Sequence, residues 1–572
     1  MHRTLAGGLE SYVDDAAFFL ADTGSTDPYQ ELLATVQAFV DTPSQQCRFV
    51  ARRQWLASQL GRPAWETALC ADYQDWRRQL NTESVVLVFA SSYLNSPSSM
   101  YGHTFLRFDP PNMQDGSPLL SYALNFGAVV GETDSGMLYA LRGIVGSYGG
   151  LFSAQRYYEK VKEYSRLDNR DLWEYHLNLS PAEVDRMLAH IWELNLINFR
   201  YYFFDENCSY RLLELLDVAR PGHSLASQFP VFAIPVDTVR AVDDAGMTSH
   251  AVYRASNGTL QTWYNAQLND EARALSKQLV NNRDALTTPA YLTLPAPQQR
   301  LVLEVTYDYL REQQKDQGRN SEIAQSRYAM LRALNQLSAD DASPAISAPP
   351  TPTPPDRGHR TALVALALGN AEDQGYVDIE ARLAYHDLLD NSAGYAADSS
   401  LNMGRVVLRI PDGESPQLEL AELVEITALA PGNQLQQPLS WQIRGGAERF
   451  YTPEDDVLSY HVTGGAGYTT ILGGALRGFA MGRARLEYNP LFAHNLDLGA
   501  GVASGLLVQG PRMNFFAEAE YLYFAQNEAR LAIHLGYQLA VSANAGLRLA
   551  LGRQLDDSKG INEISISFRQ YF

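Results

Sequence analysis

Two short stretches carry side chains that could do covalent chemistry: YGHTFLRF at 101–108 and FDENCSYRLLELL at 204–216. In the second, Asp205 and Asn207 are good helix caps, and Leu212, Leu213, Leu215 and Leu216 give the run behind them an apolar helical face. Cys208 therefore falls in the first turn of a predicted helix, where free N–H groups and the positive dipole end favour a thiolate and a lowered pKa. A thiol nucleophile also needs a base, and His103, at the start of a predicted strand, is the candidate. The pair would work by His103 deprotonating Cys208, attack on an acyl carbonyl, a thioester, and its resolution by an amine or water. Asn125, on the following predicted strand, either orients the imidazole or satisfies a strand edge. The Cys208 N–H, with Tyr101 and Asn207 in support, is the candidate oxyanion donor, although Tyr101 fits equally as a packing aromatic. Ser98 and Ser99 suit a loop beside the site and are given no catalytic role.

A Cys and a His about a hundred residues apart are, by themselves, more often a buried thiol and a satisfied core histidine. The elements around them argue for a pair. SVVLVFA (84–90), HTFLRF (103–108) and LLSYALNF (119–126) read as strands. Ser180-Pro181-Ala182-Glu183 reads as a capped helix start, with apolar spacing through Met187, Ile191 and Leu194. A His on a strand, a polar residue on the next strand and a Cys opening a later helix resemble a papain-like core in permuted order. The lecithin:retinol acyltransferase type, in which an Asn-Cys pair likewise begins the helix, has that order.

More specifically, residues 8–260 resemble the bacterial Lnb-type lipoprotein N-acyltransferase family. The stretches that carry the resemblance are SSMYGHTFLRF, LLSYALNFGA, YYEKVKEYS, RDLWEYHLNLS and YYFFDENCSYRLLELL. The resemblance implies a periplasmic thiol acyltransferase that takes a fatty acyl chain from phospholipid. The implied acceptor is the α-amine of a lipoprotein's N-terminal diacylglyceryl cysteine. The opening GGLESYVDDAAFFL looks like the interior of a family member, so upstream sequence with a signal peptide is expected. The cysteines are three, Cys47, Cys70 and Cys208. They could all be buried thiols, but in an oxidising periplasm a Cys47–Cys70 bridge with Cys208 free is expected.

The remainder of the chain is built differently. Between Asp340 and Arg360, six prolines enforce an extended, semi-rigid spacer. After it, period-two alternation dominates: Val377, Ile379, Ala381, Leu383 and Tyr385 oppose Asp378, Glu380, Arg382 and His386. The same holds for Phe515–Tyr523, Ala529–Val541 and Leu547–Leu551, and the final strand carries Ile564, Ile566, Phe568 and a terminal Phe572. About twelve such segments are expected, with the apolar faces toward lipid and Arg530, His534, Gln538 and Arg548 inward. A soluble sandwich would also alternate, but its wet face should carry more lysine than the single Lys559 found here.

The expected fold is thus α+β. It comprises an N-terminal helical segment (1–82), a permuted papain-like domain (83–260), a helical region (261–339), the linker (340–360) and a transmembrane antiparallel β-barrel (361–572). The catalytic domain would lie in the periplasm, and the partners would be phospholipid donor, lipoprotein acceptor and outer-membrane lipids. Lys+Arg 45 against Asp+Glu 65 gives a net charge of −20, which offers no footprint for nucleic acid. No metal-ligand motif, phosphate loop or dinucleotide fingerprint occurs, the Gly-rich 143–150 stretch included, so no cofactor is expected. Two other functions stay open: a papain-like cysteine hydrolase acting on cell-wall peptides, and a non-enzymatic barrel protein. Phe105, Leu106, Phe126, Phe203 and Phe204 are read as a lining that suits an acyl chain.

Overall fold

The computed structural model describes residues 2–3, 8–61, 70–92, 100–111, 118–129, 142–143, 146–318, 320–340, 346–451, 456–490, 494–526, 528–555 and 560–572. Ser98, Ser99, Lys559 and parts of the Gly-rich 143–150 stretch and of the linker lie outside them. The chain divides into two compact units, Met1–Gly258 and Thr259–Phe572.

The first unit is a seven-stranded antiparallel sheet flanked by helices. Its strands are β1 (Ser84–Ala90), β2 (His103–Asp109), β3 (Tyr122–Val129), β4 (Tyr148–Arg156), β5 (Leu172–Leu177), β6 (Phe199–Tyr201) and β7 (Thr248–Arg254), in the order β6-β4-β3-β2-β1-β5-β7. The apolar run of β1 sits between two neighbours and is buried on both faces, as a central strand must be. Helices α1 (Pro28–Asp41), α2 (Val50–Leu60) and α3 (Ala71–Leu80) precede the sheet. A disulfide joins Cys47 to Cys70 with a Cα–Cα distance of 5.2 Å, packed among Tyr73, Trp76 and Trp192. One face of the sheet carries Val86, Val88, Phe105, Tyr157 and Tyr164, the last two from α4 (Tyr157–Val161) and the π-helical turn after it. The other is covered by α5 (Pro181–Glu193), α6 (Cys208–Ala219) and α7 (Pro235–Asp244). The α5 start forms the capping box that its sequence predicts, Glu183 accepting from the Ser180 N–H at 2.7 Å. Within the core Arg107 donates to both oxygens of Asp109 at 2.8 Å and pairs with Glu174, which also accepts from Tyr157 and Arg254.

The second unit begins with helices and ends as a barrel. Helix α8 (Asn257–Ala266) leads into α9 (Asp270–Asn281), α10 (Ala296–Gln317) and α11 (Ser321–Asp340), which share one apolar core. Twelve long strands follow as an antiparallel meander: β8 (Leu363–Ala371), β9 (Gln374–His386), β10 (Ser399–Pro411), β11 (Gln417–Ala428), β12 (Ser440–Tyr451), β13 (Asp456–Gly473), β14 (Leu476–Tyr488), β15 (Leu496–Gln509), β16 (Met513–Phe524), β17 (Ala529–Ser542), β18 (Ala545–Leu555) and β19 (Gly560–Tyr571). Pairing of β8 with β19, from Leu363–Tyr571 to Ala371–Glu563, closes the ring. Closure leaves no sheet edge, as a lipid-embedded sheet requires.

The alternation is realised in most positions: Val364, Leu366, Leu368, Ile564, Ile566 and Phe568 are exposed outward, and Arg382, Arg530, Gln538, Arg548 and Arg569 are buried, whereas His534, expected beside them, is exposed. Tyr460, Tyr488, Tyr521 and Tyr523 are exposed on the outer wall at the rim away from the linker, where membrane barrels carry aromatic girdles. The barrel is that of an outer-membrane protein. Tyr385 departs from its expected place: it is buried edge-on against Tyr395 at 5.0 Å. The cause is the β9–β10 connection, which folds inward instead of turning at the rim. Gln509 and Asn514 donate to the Leu388 and Leu389 carbonyls, and Leu388 packs on Phe479, Met481 and Leu507, whose strands lie elsewhere around the ring.

Candidate active site

Strands β2 and β3 pair only through Leu106–Leu124, Arg107–Ala123 and Phe108–Tyr122, although β2 starts at His103 and β3 runs on to Val129. The sheet therefore forks, and His103 and Asn125 lie at the fork. His103 reaches across it: its Nε2–H donates to Asn125 Oδ1 at 2.6 Å, which fixes the tautomer and leaves Nδ1 as the basic nitrogen. Gly102 makes the entry possible. Its φ is +98°, and a Cβ there would come within 2.5 Å of the Phe89 ring and 3.1 Å of the Ala90 carbonyl.

Cys208 opens α6 as its sequence predicts. Asn207 caps the helix, its Oδ1 accepting from the Ser209 and Tyr210 N–H groups at 3.0 and 3.2 Å. The Asn207 amide donates to the Phe203 and Ala233 carbonyls, so this side chain is committed to holding the helix start. The free thiol of Cys208 is buried. It faces the Thr104 N–H and hydroxyl, the Tyr201 hydroxyl and the Ser209 N–H, each of which would stabilise a thiolate. Burial outweighs them and raises the thiol above its ordinary pKa, so the expected lowering by the helix end alone is reversed.

His103 is likewise buried, and its pKa falls to about 3. Burial is the main cause, followed by Lys160 and Arg170. Both cations sit over the Tyr164 ring, at 5.1 and 4.9 Å, and that ring lies 5.6 Å from the imidazole. Tyr164 and Arg170 also feel the charge of Cys208, so the same two groups neighbour both members of the pair. Arg170 donates to the Ser91 and Ala90 carbonyls at the end of β1 and is itself locked. Thr104, Tyr164, Lys160, Arg170 and Tyr201 have no role that sequence alone assigns. The stretches YYEKVKEYS and RDLWEYHLNLS, which carry part of the family resemblance, hold three of them.

Tyr101 is buried edge-on against Phe204 at 5.9 Å. Phe204 in turn meets Phe232, which is exposed beside Val231. Phe105, Leu106 and Phe126, by contrast, are enclosed in the core, Phe105 stacking on Tyr164 at 5.7 Å. Among the described residues one group, His359, His386 and Asp390 in the barrel unit, brings three metal-ligating atoms within 4.8 Å of one another. Its carboxylate already accepts from Arg382, Arg548 and Tyr571, so two guanidinium groups hold the place where a metal's charge would act.

Residues 72–245 match the family described as the Lnb N-terminal periplasmic domain. The match spans the fork, α6 and both catalytic candidates, and the sequence resemblance meets it there. Three domains of unknown function, DUF7843, DUF7842 and DUF7840, match residues 1–59, 251–346 and 352–571. None of the curated proteins matches. Among solved structures, the chain is similar to the KdgM porin in complex with disordered oligogalacturonate, at 9% identity over 37% of this chain and 99% of that one, TM-score 0.23. An outer membrane channel from Pseudomonas putida F1 aligns at 12% identity over 41% of this chain and 100% of that one, TM-score 0.25. The loop-deleted OmpT of Vibrio cholerae aligns at 11% identity over 38% and 100%, TM-score 0.20. The Lnb domain and the barrel together put the protein in the outer membrane with its first unit in the periplasm.

Proposed function

We propose that the protein is a thiol acyltransferase that loads a fatty acyl chain from phospholipid onto Cys208 and passes it to an amine, the N-terminus of a lipoprotein. The observation that carries this reading is the fork. It joins His103 to Asn125 through Nε2, leaves Nδ1 as base, and sets the Cys208 thiol against Thr104, the strand neighbour of His103. The reading requires the thiol, on the α6 face, and the imidazole, stacked near Tyr164 on the other, to meet across the fork. That arrangement is the papain-like logic of nucleophile, base and orienting amide. With His103 held neutral and the thiol raised, the pair starts uncharged, so His103 must take the proton as Cys208 attacks. The Ser209 N–H, the Thr104 N–H and the Tyr201 hydroxyl are placed to receive negative charge, first on sulfur and then on the tetrahedral oxyanion. The acyl ester's alkoxide leaves with the proton from His103, and the acceptor amine reverses the sequence. The aromatic path Tyr101–Phe204–Phe232 supports a long apolar substrate.

The test is mass spectrometry of the purified protein after incubation with phospholipid. A fatty-acyl mass on the peptide carrying Cys208, absent in Cys208→Ala, is expected. Release of cell-wall peptides without any acyl adduct would instead make it a hydrolase.

A further inference from the structure

A second apolar site lies in the helical part of the second unit. The turn Arg283–Thr287, the short helix Pro289–Leu292 and one face of α11 enclose a groove of about 860 Å³, within the usual range for a ligand site. Along α11 the lining runs from Ala324 to Leu337, which at 1.5 Å per residue makes it about 20 Å long. Its floor is Leu286, Tyr291, Ala329 and Ala333, with Leu292 and Tyr328 exposed at the rim. Among the described residues, the charged side chains lining it are Arg283 and Arg332, in a chain whose net charge is −20. Arg283 donates to the neutral Gln325 at 2.9 Å, and Arg332 has no ion pair among the described residues. An elongated apolar floor flanked by two guanidinium groups and no carboxylate complements one kind of occupant: an acyl chain with an anionic head.

The position of the helices within the unit supplies that occupant. Asn265 of α8 bonds Gln434 at 3.2 Å, Gln436 bonds Glu312 of α10, and Leu435 packs into the helical core. Residues 434–436 belong to the β11–β12 connection, on the rim where the linker enters the barrel. The helices are thus seated on the rim of a membrane-embedded barrel, where phospholipid heads are at hand.

We infer that this groove binds an anionic phospholipid, its acyl chain along α11 and its phosphate on Arg283 and Arg332. Guanidinium groups suit phosphate because their planar donors can engage two oxygens at once. The site goes beyond the proposed acyl transfer and does not depend on Cys208.

The test uses the full-length protein in vesicles of phosphatidylcholine doped with a phosphatidylglycerol that carries a photoreactive acyl chain. Cross-linked peptides are expected within 283–292 and 324–337, and labelling there should fall at least about tenfold in R283Q/R332Q. Both arginines are exposed, so folding is unaffected, and Tyr328→Glu, also exposed, should lower labelling through repulsion. Labels confined to the barrel strands would overturn the inference. So would equal labelling of the double variant, equal labelling by a zwitterionic probe of the same chain, or full competition by inorganic phosphate alone.

Discussion

His103 shows how burial would set the starting state of the proposed catalytic pair. Its folded pKa of about 3 lies below the ordinary 6.5, so on acidification the unfolded chain takes up the proton first. The stability contributed by the neutral imidazole is fully present above about pH 6.5 and is lost as pH falls toward 3. Hydrogen exchange of β2 amides should therefore show protection falling between pH 7 and pH 4 in the wild type, with the pH-dependent part absent in His103→Gln. In the proposed mechanism the same neutrality shapes catalysis. His103→Ala should slow acyl-enzyme formation by about 10²–10⁴-fold, the usual worth of a general base, and Asn125→Ala should cost less because it only orients the ring. Alkylation of Cys208 by iodoacetamide should be slower at pH 7 than that of an unhindered thiol, since the raised pKa leaves little thiolate.

At the level of elements, the fork between β2 and β3 depends on Gly102, whose backbone no side chain tolerates comfortably. Gly102→Ala is expected to cost about 1–3 kcal/mol and to displace His103, lowering acyl transfer even where the protein still folds. The Cys47–Cys70 bridge, with a sequence separation of 23, should contribute roughly 3 kcal/mol, read as a lowered denaturation midpoint on reduction. These elements were legible to different degrees. The α6 start was plain because Asn207 and the leucines behind Cys208 are local signals, and the barrel strands because a period of two survives in any register. The fork was not legible, since where two strands stop pairing is decided by what wedges between them. Nor was the Tyr164 layer: Lys160 and Arg170 meet His103 only because the π-helical turn Lys162–Leu167 brings distant segments together.

For the whole molecule, the first unit carries the candidate pair and the second the barrel. Outer-membrane fractionation should recover the full chain, and the closed ring of β8–β19 should make its gel mobility depend on heating, as the folded barrel resists detergent until boiled. The interior of that barrel has a further consequence. Glu380, Arg382, Arg409, Glu422, Arg483, Arg485, Glu487, Arg548 and Arg569 all point inward and are all buried, joined by ion pairs such as Arg569–Glu380 at 2.8 Å and Arg530–Glu487 at 2.9 Å. The segment 387–390 folds into the linker side, where Gln509, Asn514 and Arg548 hold it. A lumen crowded with paired charges predicts a barrel that conducts poorly. Reconstituted in a planar bilayer, it should leave the membrane's resistance unchanged, and stepwise current openings would show that the ring carries solute and is more than an anchor.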